Sequence, residues 1–396
     1  MFSRRTPASL TPNRLSAAIN QRRRDGLPVM DLTGTNPTAC GIELPADEIL
    51  APLTDPRALV YEPSPQGWAG AREAVAAHHA RQGFRADPAR LFLTASTSEA
   101  YGWAFKLLCN AGDEVLVPRP SYPLFECLAA LEEVTVRSYP LLPELGWAIG
   151  RDEFEALLTP RTRALIVVNP NHPTGSYTHE EDWRYLGELA ARNGLALISD
   201  EVFFDYRLAP SARPASALAL ECGALVLTLS GLSKICALPQ MKLGWMHVGG
   251  PAALAGQACE RLEWIADAYL PVSAPVQYAA PRWLELSGRV QALIKVRCSA
   301  ALRAYQGAFQ GPVRVRPVEG GWTAVLEGPR APDGESLALG LLRQCGILVQ
   351  PGYFYDFPRE GFLAASLLTS PDEAAAGAAR IEEFWSSHSD SAPNCR

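Results

Sequence analysis

The sequence predicts an α/β protein: a large domain with a mostly parallel, roughly seven-stranded sheet covered by helices, plus a smaller α+β domain. Three observations carry that prediction. Between about residues 90 and 250, short apolar runs alternate with helical stretches, as in a parallel sheet built from crossover units. Most of these runs are almost continuously apolar, as strands covered on both faces must be. After about residue 286 the alternation stops, and a long helical stretch leads into a segment punctuated by glycine and proline.

In chain order, residues 9–24 alternate apolar and polar side chains and are expected to form a docking helix in an N-terminal arm. Arg4, Arg5, Arg14, Arg22, Arg23 and Arg24 all precede the first acid, Asp25, a character shared with transit peptides. No signal-peptide core accompanies them, so the structural reading is preferred. Candidate strands follow at 91–95, 114–118, 135–139, 164–169, 195–200, 225–229 and 242–248, with helices at 98–109 and 180–193. A helix over 287–309, strands near 321–327 and 346–350, and a last helix over 371–386 complete the chain. Residues 386–396 are polar and expected to fray. The expected division is a large domain over 41–286 and a smaller one made of 1–40 and 287–396.

A chain of 396 residues exceeds one small core, which agrees with two domains. Its net charge of −6 gives no electrostatic case for nucleic acid or an anionic membrane. No apolar run reaches the length of a membrane helix. The 9 cysteines are odd in number and form no C-x-x-C pair, which argues against zinc and disulfide frameworks and for a reducing cytoplasm. His78, His79, His179, His247 and His388 lack ligand-like spacing, so no metal is expected. No nucleophile elbow supports a serine hydrolase.

Chemistry concentrates where strands end, the usual ligand position in open α/β sheets. Lys234 closes Ser230-Gly231-Leu232-Ser233-Lys234, directly after the apolar run 224–229. By itself it reads as a surface lysine. Asp200 ends another run, Thr97 and Ser98 follow the first, and Tyr122 follows the second. The segment Asn169-Pro170-Asn171-His172-Pro173-Thr174-Gly175 closes the fourth. That convergence outweighs any single motif.

Together these segments resemble the aspartate-aminotransferase-like (class I/II) family of fold-type-I pyridoxal-phosphate enzymes, over about residues 31–384. The resemblance implies that Lys234 forms the Schiff base and shuttles the proton, and that Asp200 pairs with the pyridine nitrogen. It implies that Tyr122 stacks on the ring, and that Thr97, Ser98 and Lys242 hold the phosphate, with Ser230 or Ser233 adding a hydroxyl. Asn171 and His172 fall at the cofactor, and Tyr61 at the partner subunit's phosphate in a homodimer with shared sites. Asn36, Trp322 and Tyr353 are matching candidates for substrate contacts. The remaining aromatics, Trp68, Trp245, Phe354 and Tyr355 among them, read as core.

Four positions depart from the family. Lys242 stands where arginine is usual, giving a point charge in place of a bidentate fork. His172 replaces an asparagine and Phe203 a tyrosine, so both usual donors to the phenolic oxygen are changed. His172 can still donate, Phe203 cannot, and Tyr206 lies nearby in sequence. With fewer donors there, the Schiff-base nitrogen is expected to keep its proton to a higher pH than is usual. Ala364 falls where the family carries its substrate-carboxylate arginine, and Arg359 is the candidate for a displaced clamp.

The function expected is a pyridoxal-phosphate-dependent aminotransferase moving an amino group between an amino acid or amine and a 2-oxo acid. The alternatives are a non-transaminating enzyme on the same cofactor (a lyase, cyclase or oxidase of an amino-acid derivative) and a non-catalytic ligand-binding protein on the same scaffold.

Overall fold

The structure, a computed structural model, describes residues 2–7, 11–329 and 333–389. Residues 9 and 10 of the expected arm helix, and the expected frayed tail beyond residue 389, lie outside the described residues. The arm helix itself spans Arg14–Arg24, capped by the Asn13 side chain accepting from the Ser16 amide.

The strands are β1 (Met30–Asp31), β2 (Leu91–Thr94), β3 (Glu114–Arg119), β4 (Thr135–Leu142), β5 (Ala148–Ile149), β6 (Thr162–Val168) and β7 (Ala196–Asp200). They continue with β8 (Val226–Gly231), β9 (Gly244–Gly249), β10 (Arg314–Val315), β11 (Thr323–Glu327), β12 (Ile347–Leu348), β13 (Gln350–Pro351) and β14 (Phe362–Ser366). An eight-stranded sheet runs β2-β9-β8-β7-β6-β3-β4-β5. Its core strands β3, β4, β6, β7 and β8 are parallel. All seven expected strands are present. The eighth, β5, is a two-residue edge partner of β4, too short to show a period.

One expectation is corrected at β9, which pairs antiparallel with both β8 and β2. No crossover helix separates β8 from β9. The chain doubles back through Pro239–Met241, and Lys242 takes a left-handed backbone, φ 55°, so the strand starts at Gly244 rather than at Lys242. Two antiparallel pairings in series leave β2 running with the parallel strands.

The helices at 97–108 and 180–193 form for local reasons. Ser96 caps the first, its hydroxyl accepting from the Glu99 amide. The second carries Glu180, Glu181 and Asp182 in its first turn and ends on left-handed Gly194. It buries Trp183, Leu186 and Leu189 against the sheet. Truncating such a leucine to alanine typically costs ~2–5 kcal/mol.

A four-stranded antiparallel sheet, β10-β11-β14-β13, forms the second layer system. The helix expected over 287–309 spans Ala274–Ala308; Pro275 suits its first turn and Pro281 lies inside it, which hid its start in the sequence. Strand β1 pairs in parallel with β12, tying the N-terminal arm to this second unit.

Candidate active site

Strands β2, β3, β6, β7 and β8 point the same way, so the segments after them meet at one end of the large sheet. Lys234 sits in the one-turn helix Leu232–Ile235 directly after β8. The turn is packed too tightly for a side chain at Gly231, whose added Cβ would lie 3.0 Å from the Gly244 Cα. The lysine backbone is held from behind: the Tyr206 hydroxyl donates to the Lys234 carbonyl at 2.6 Å, and the Gln291 amide donates to the Ile235 carbonyl at 3.1 Å. Its amine lies 4.9 Å from the Trp322 ring and 5.2 Å from the Phe203 ring. Burial lowers the amine's pKa to about 8, against the pull of Asp200.

Asp200 is buried at the end of β7. Its Oδ2 accepts from the Tyr101 hydroxyl at 3.1 Å and its Oδ1 from the Val202 amide at 3.2 Å. Burial raises the carboxyl to about 6, with these donors and Lys234 opposing. His172 packs against the rings of Phe203, Tyr122 and Tyr355, with Nδ1 3.4 Å from the Thr323 hydroxyl. Burial and the Lys234 charge push its pKa down to about 3, so the imidazole is neutral at working pH.

Lys234, Asp200, His172 and Tyr122 all line one cavity of about 190 Å³. Thr97, Ser98 and Ser233 line it too. The first two open the helix Thr97–Leu108, and among the described residues their amides and hydroxyls have no partner. A helix N-terminus presenting such groups is suited to an anion. β9 presses close to it: a Cβ on Gly244 would lie 3.0 Å from the Thr97 amide nitrogen and 2.9 Å from the Ser96 carbonyl carbon.

Other expected site residues stand elsewhere. Asn171 is buried in its own loop, donating to the Pro120 carbonyl at 3.3 Å and accepting from the Thr174 hydroxyl at 3.0 Å. Ser230 donates to the Glu201 carbonyl at 3.3 Å. Lys242 is exposed, although its neighbours Leu243 and Gly244 reach the cavity. Tyr61 is 75% exposed. Asn36 is exposed and accepts from the Thr38 hydroxyl at 2.8 Å, whereas its neighbour Thr35 lines the cavity. Trp322 is buried behind Lys234 with an indole N–H that has no partner among the described residues. Tyr353 is exposed and packs edge-on against Phe354.

Ala364 lies opposite Val325 and Gln350 in the smaller sheet. It shares a face with Thr323, which meets His172, and with Glu327. Arg359 is bound to buried Glu327 together with Arg314 and Arg316, and stacks over Phe362 at 4.5 Å. Its guanidinium is therefore engaged away from the cavity lining.

Sequence reasoning missed Thr35, Tyr101 and Val202 in the lining. For Tyr101 a signal existed: it lies four residues after Thr97 and three after Ser98, hence on the same helix face.

Comparison with known proteins places the chain in a family and a fold. The family described as Aminotransferase class I and II matches residues 55–381. The Escherichia coli (strain K12) protein named glutamate-pyruvate aminotransferase AlaA is 33% identical over 258 residues, 64% of this chain. The match spans 63% of that relative, less than two thirds of its length. An alanine aminotransferase of Mycobacterium tuberculosis is 29% identical over 378 residues, covering 92% of this chain and 87% of that protein. Among solved structures, an Escherichia coli aminotransferase superposes with a TM-score of 0.83 at 25% identity, covering 96% of this chain and 99% of that one. An alanine aminotransferase from Pyrococcus furiosus gives 0.84 at 22% identity, over 98% of this chain and 100% of that one, a likeness of fold.

Proposed function

This chain belongs to the class I and II aminotransferases, a family that generally depends on pyridoxal phosphate, and from that premise we propose that it is a pyridoxal-phosphate-dependent aminotransferase. It would move an amino group between an amino acid or amine and a 2-oxo acid. One observation carries the reading: Lys234, Asp200 and the unpartnered helix start at Thr97 and Ser98 open onto a single cavity.

The residues present fit the cofactor. The free amides and hydroxyls of Thr97 and Ser98, with the Ser233 hydroxyl, supply a phosphate cradle. Tyr122 offers a ring wall, and His172 a neutral hydrogen-bonding imidazole. When bound, pyridoxal phosphate supplies an aldehyde for amine capture and a pyridinium ring that draws off the electron pair released at the substrate carbon. Asp200 would hold the proton on the pyridine nitrogen. Lys234, with its amine pKa lowered to about 8, would be the amine that holds the cofactor, and its Nζ would carry the proton to and from the substrate carbon. Trp322 and Phe203 wall that amine on its protein side.

We propose a homodimer with shared sites; Leu59, Val60 and Tyr61, three adjacent large side chains exposed at 89%, 56% and 75%, support a contact surface there. We read residues 41–286 as the cofactor-binding domain, with 1–40 and 287–396 as the smaller one. Among the described residues no helix is long and apolar enough to cross a membrane; the cytoplasm is proposed from the cysteine pattern.

The names of the relatives make alanine, glutamate and pyruvate the first substrates to try. Mixing the reconstituted protein with alanine should bleach its visible absorbance and yield pyruvate, and an added 2-oxo acid should restore the band. With a panel of amino-acid derivatives, return of the band without any added 2-oxo acid would point to elimination or another non-transaminating reaction, and no change with any amine to a binding protein.

A further inference from the structure

We propose that Tyr101 is a positioning residue of this site: its hydroxyl, donating to Asp200 Oδ2, holds that carboxylate ionised and aimed into the cavity. The inference rests on the pyridoxal-phosphate reading and goes past it, because it assigns the state of Asp200 to a second residue on another element.

The geometry supports a directed hydrogen bond over incidental packing. Tyr101 is 2% exposed and Asp200 7%, so neither exchanges its partner freely with water. The Tyr101 ring is fixed between Phe105, at 6.0 Å, and Phe125, at 5.4 Å. The helix carrying it begins at the proposed phosphate cradle, so one rigid element would set both ends of the cofactor site. A buried carboxylate is costly unless donors satisfy it. Here Oδ1 has the Val202 amide, and Oδ2 has Tyr101.

The proton of the pair belongs to the tyrosine. Burial and the Asp200 charge push the Tyr101 phenol well above its ordinary range. The other titratable groups facing Asp200 are Lys234, from the turn after β8, and Tyr122, from the segment after β3. Neighbouring Glu201 turns away, to Ser199, Ser216 and the Ala217 amide.

The test replaces Tyr101→Phe, which keeps the ring, and follows the Asp200 carboxyl by isotope-edited infrared spectroscopy in the cofactor-free protein. An Asp200→Asn variant identifies the band. The ionisation midpoint, about 6 in the unaltered protein, should rise by about one pH unit. Difluorotyrosine at position 101, a stronger donor, should lower it, so the sign can be read even if the phenylalanine variant does not fold. A midpoint unmoved by either change overturns the proposal.

A second arm measures pyridoxal-phosphate affinity. It should fall about threefold near pH 6.5 in the phenylalanine variant and match the unaltered protein above about pH 8.5, where both carboxylates are ionised. Equal affinities at every pH overturn the proposal. If neither protein binds pyridoxal phosphate while the infrared midpoint still shifts, the pair stands and the functional reading fails.

Discussion

The Tyr206 hydroxyl donates to the main-chain carbonyl of Lys234 at 2.6 Å, so a residue of the loop after Asp200 grips the lysine through its backbone and leaves its amine free. Replacing Tyr206→Phe should lower stability by only about 1 kcal/mol, because the Ala237 amide still serves that carbonyl. Turnover should fall further, by up to about tenfold, through misplacement of the amine. Thermal melting and steady-state kcat on the same preparations check both. Unchanged kcat would show that the grip is not needed.

Asp200 should cost stability above the acid range. Its folded-state pKa, about 6, is raised from 3.8 by burial, so the folded protein holds the proton more tightly than the unfolded chain. Its contribution is therefore full below about pH 4 and is lost as pH rises towards 6 and beyond. Asp200→Asn should remove that loss: the cofactor-free variant should melt higher above pH 6, by a free energy of roughly 3 kcal/mol. Activity should fall by at least about a hundredfold. Melting curves from pH 4 to 8 give the sign, and a variant less stable at every pH would refute it.

The close approach of β9 to the helix start makes Gly244→Ala informative. Its Cβ would lie 3.0 Å from the Thr97 amide nitrogen, so the helix start must shift. We expect pyridoxal-phosphate affinity to drop about tenfold or more, with a smaller change in melting of the cofactor-free protein. Equal affinities by fluorescence titration would remove Thr97 and Ser98 from the cradle.

Arg359 was a natural candidate for the substrate clamp, but it is committed to Glu327. Arg359→Ala should change KM for amino-acid donors by less than about threefold and lower stability by about 1 kcal/mol. A tenfold or larger rise in KM would reinstate it as a substrate contact.

How much was legible follows from what each signal depends on. Strands β6, β7 and β8 are mostly apolar runs, visible because their burial on both faces is written locally. β5 and β10 have two residues each, below any period. Lys234, Asp200 and Thr97 were legible because each sits at or just past a strand end. The Tyr101 partnership was not, since it joins a helix to a strand 99 residues away. Likewise the charge of Arg359 is plain in the sequence, whereas its cancellation depends on which strand brings Glu327 alongside.

Lys234 is proposed as the amine that takes up pyridoxal phosphate. Borohydride reduction of the reconstituted protein, followed by peptide mass mapping, tests it most directly. The cofactor mass should be found on Lys234, and Lys234→Ala should lose both the label and the visible band. Labelling on Lys242 or another lysine, or a band that survives in Lys234→Ala, would contradict the account.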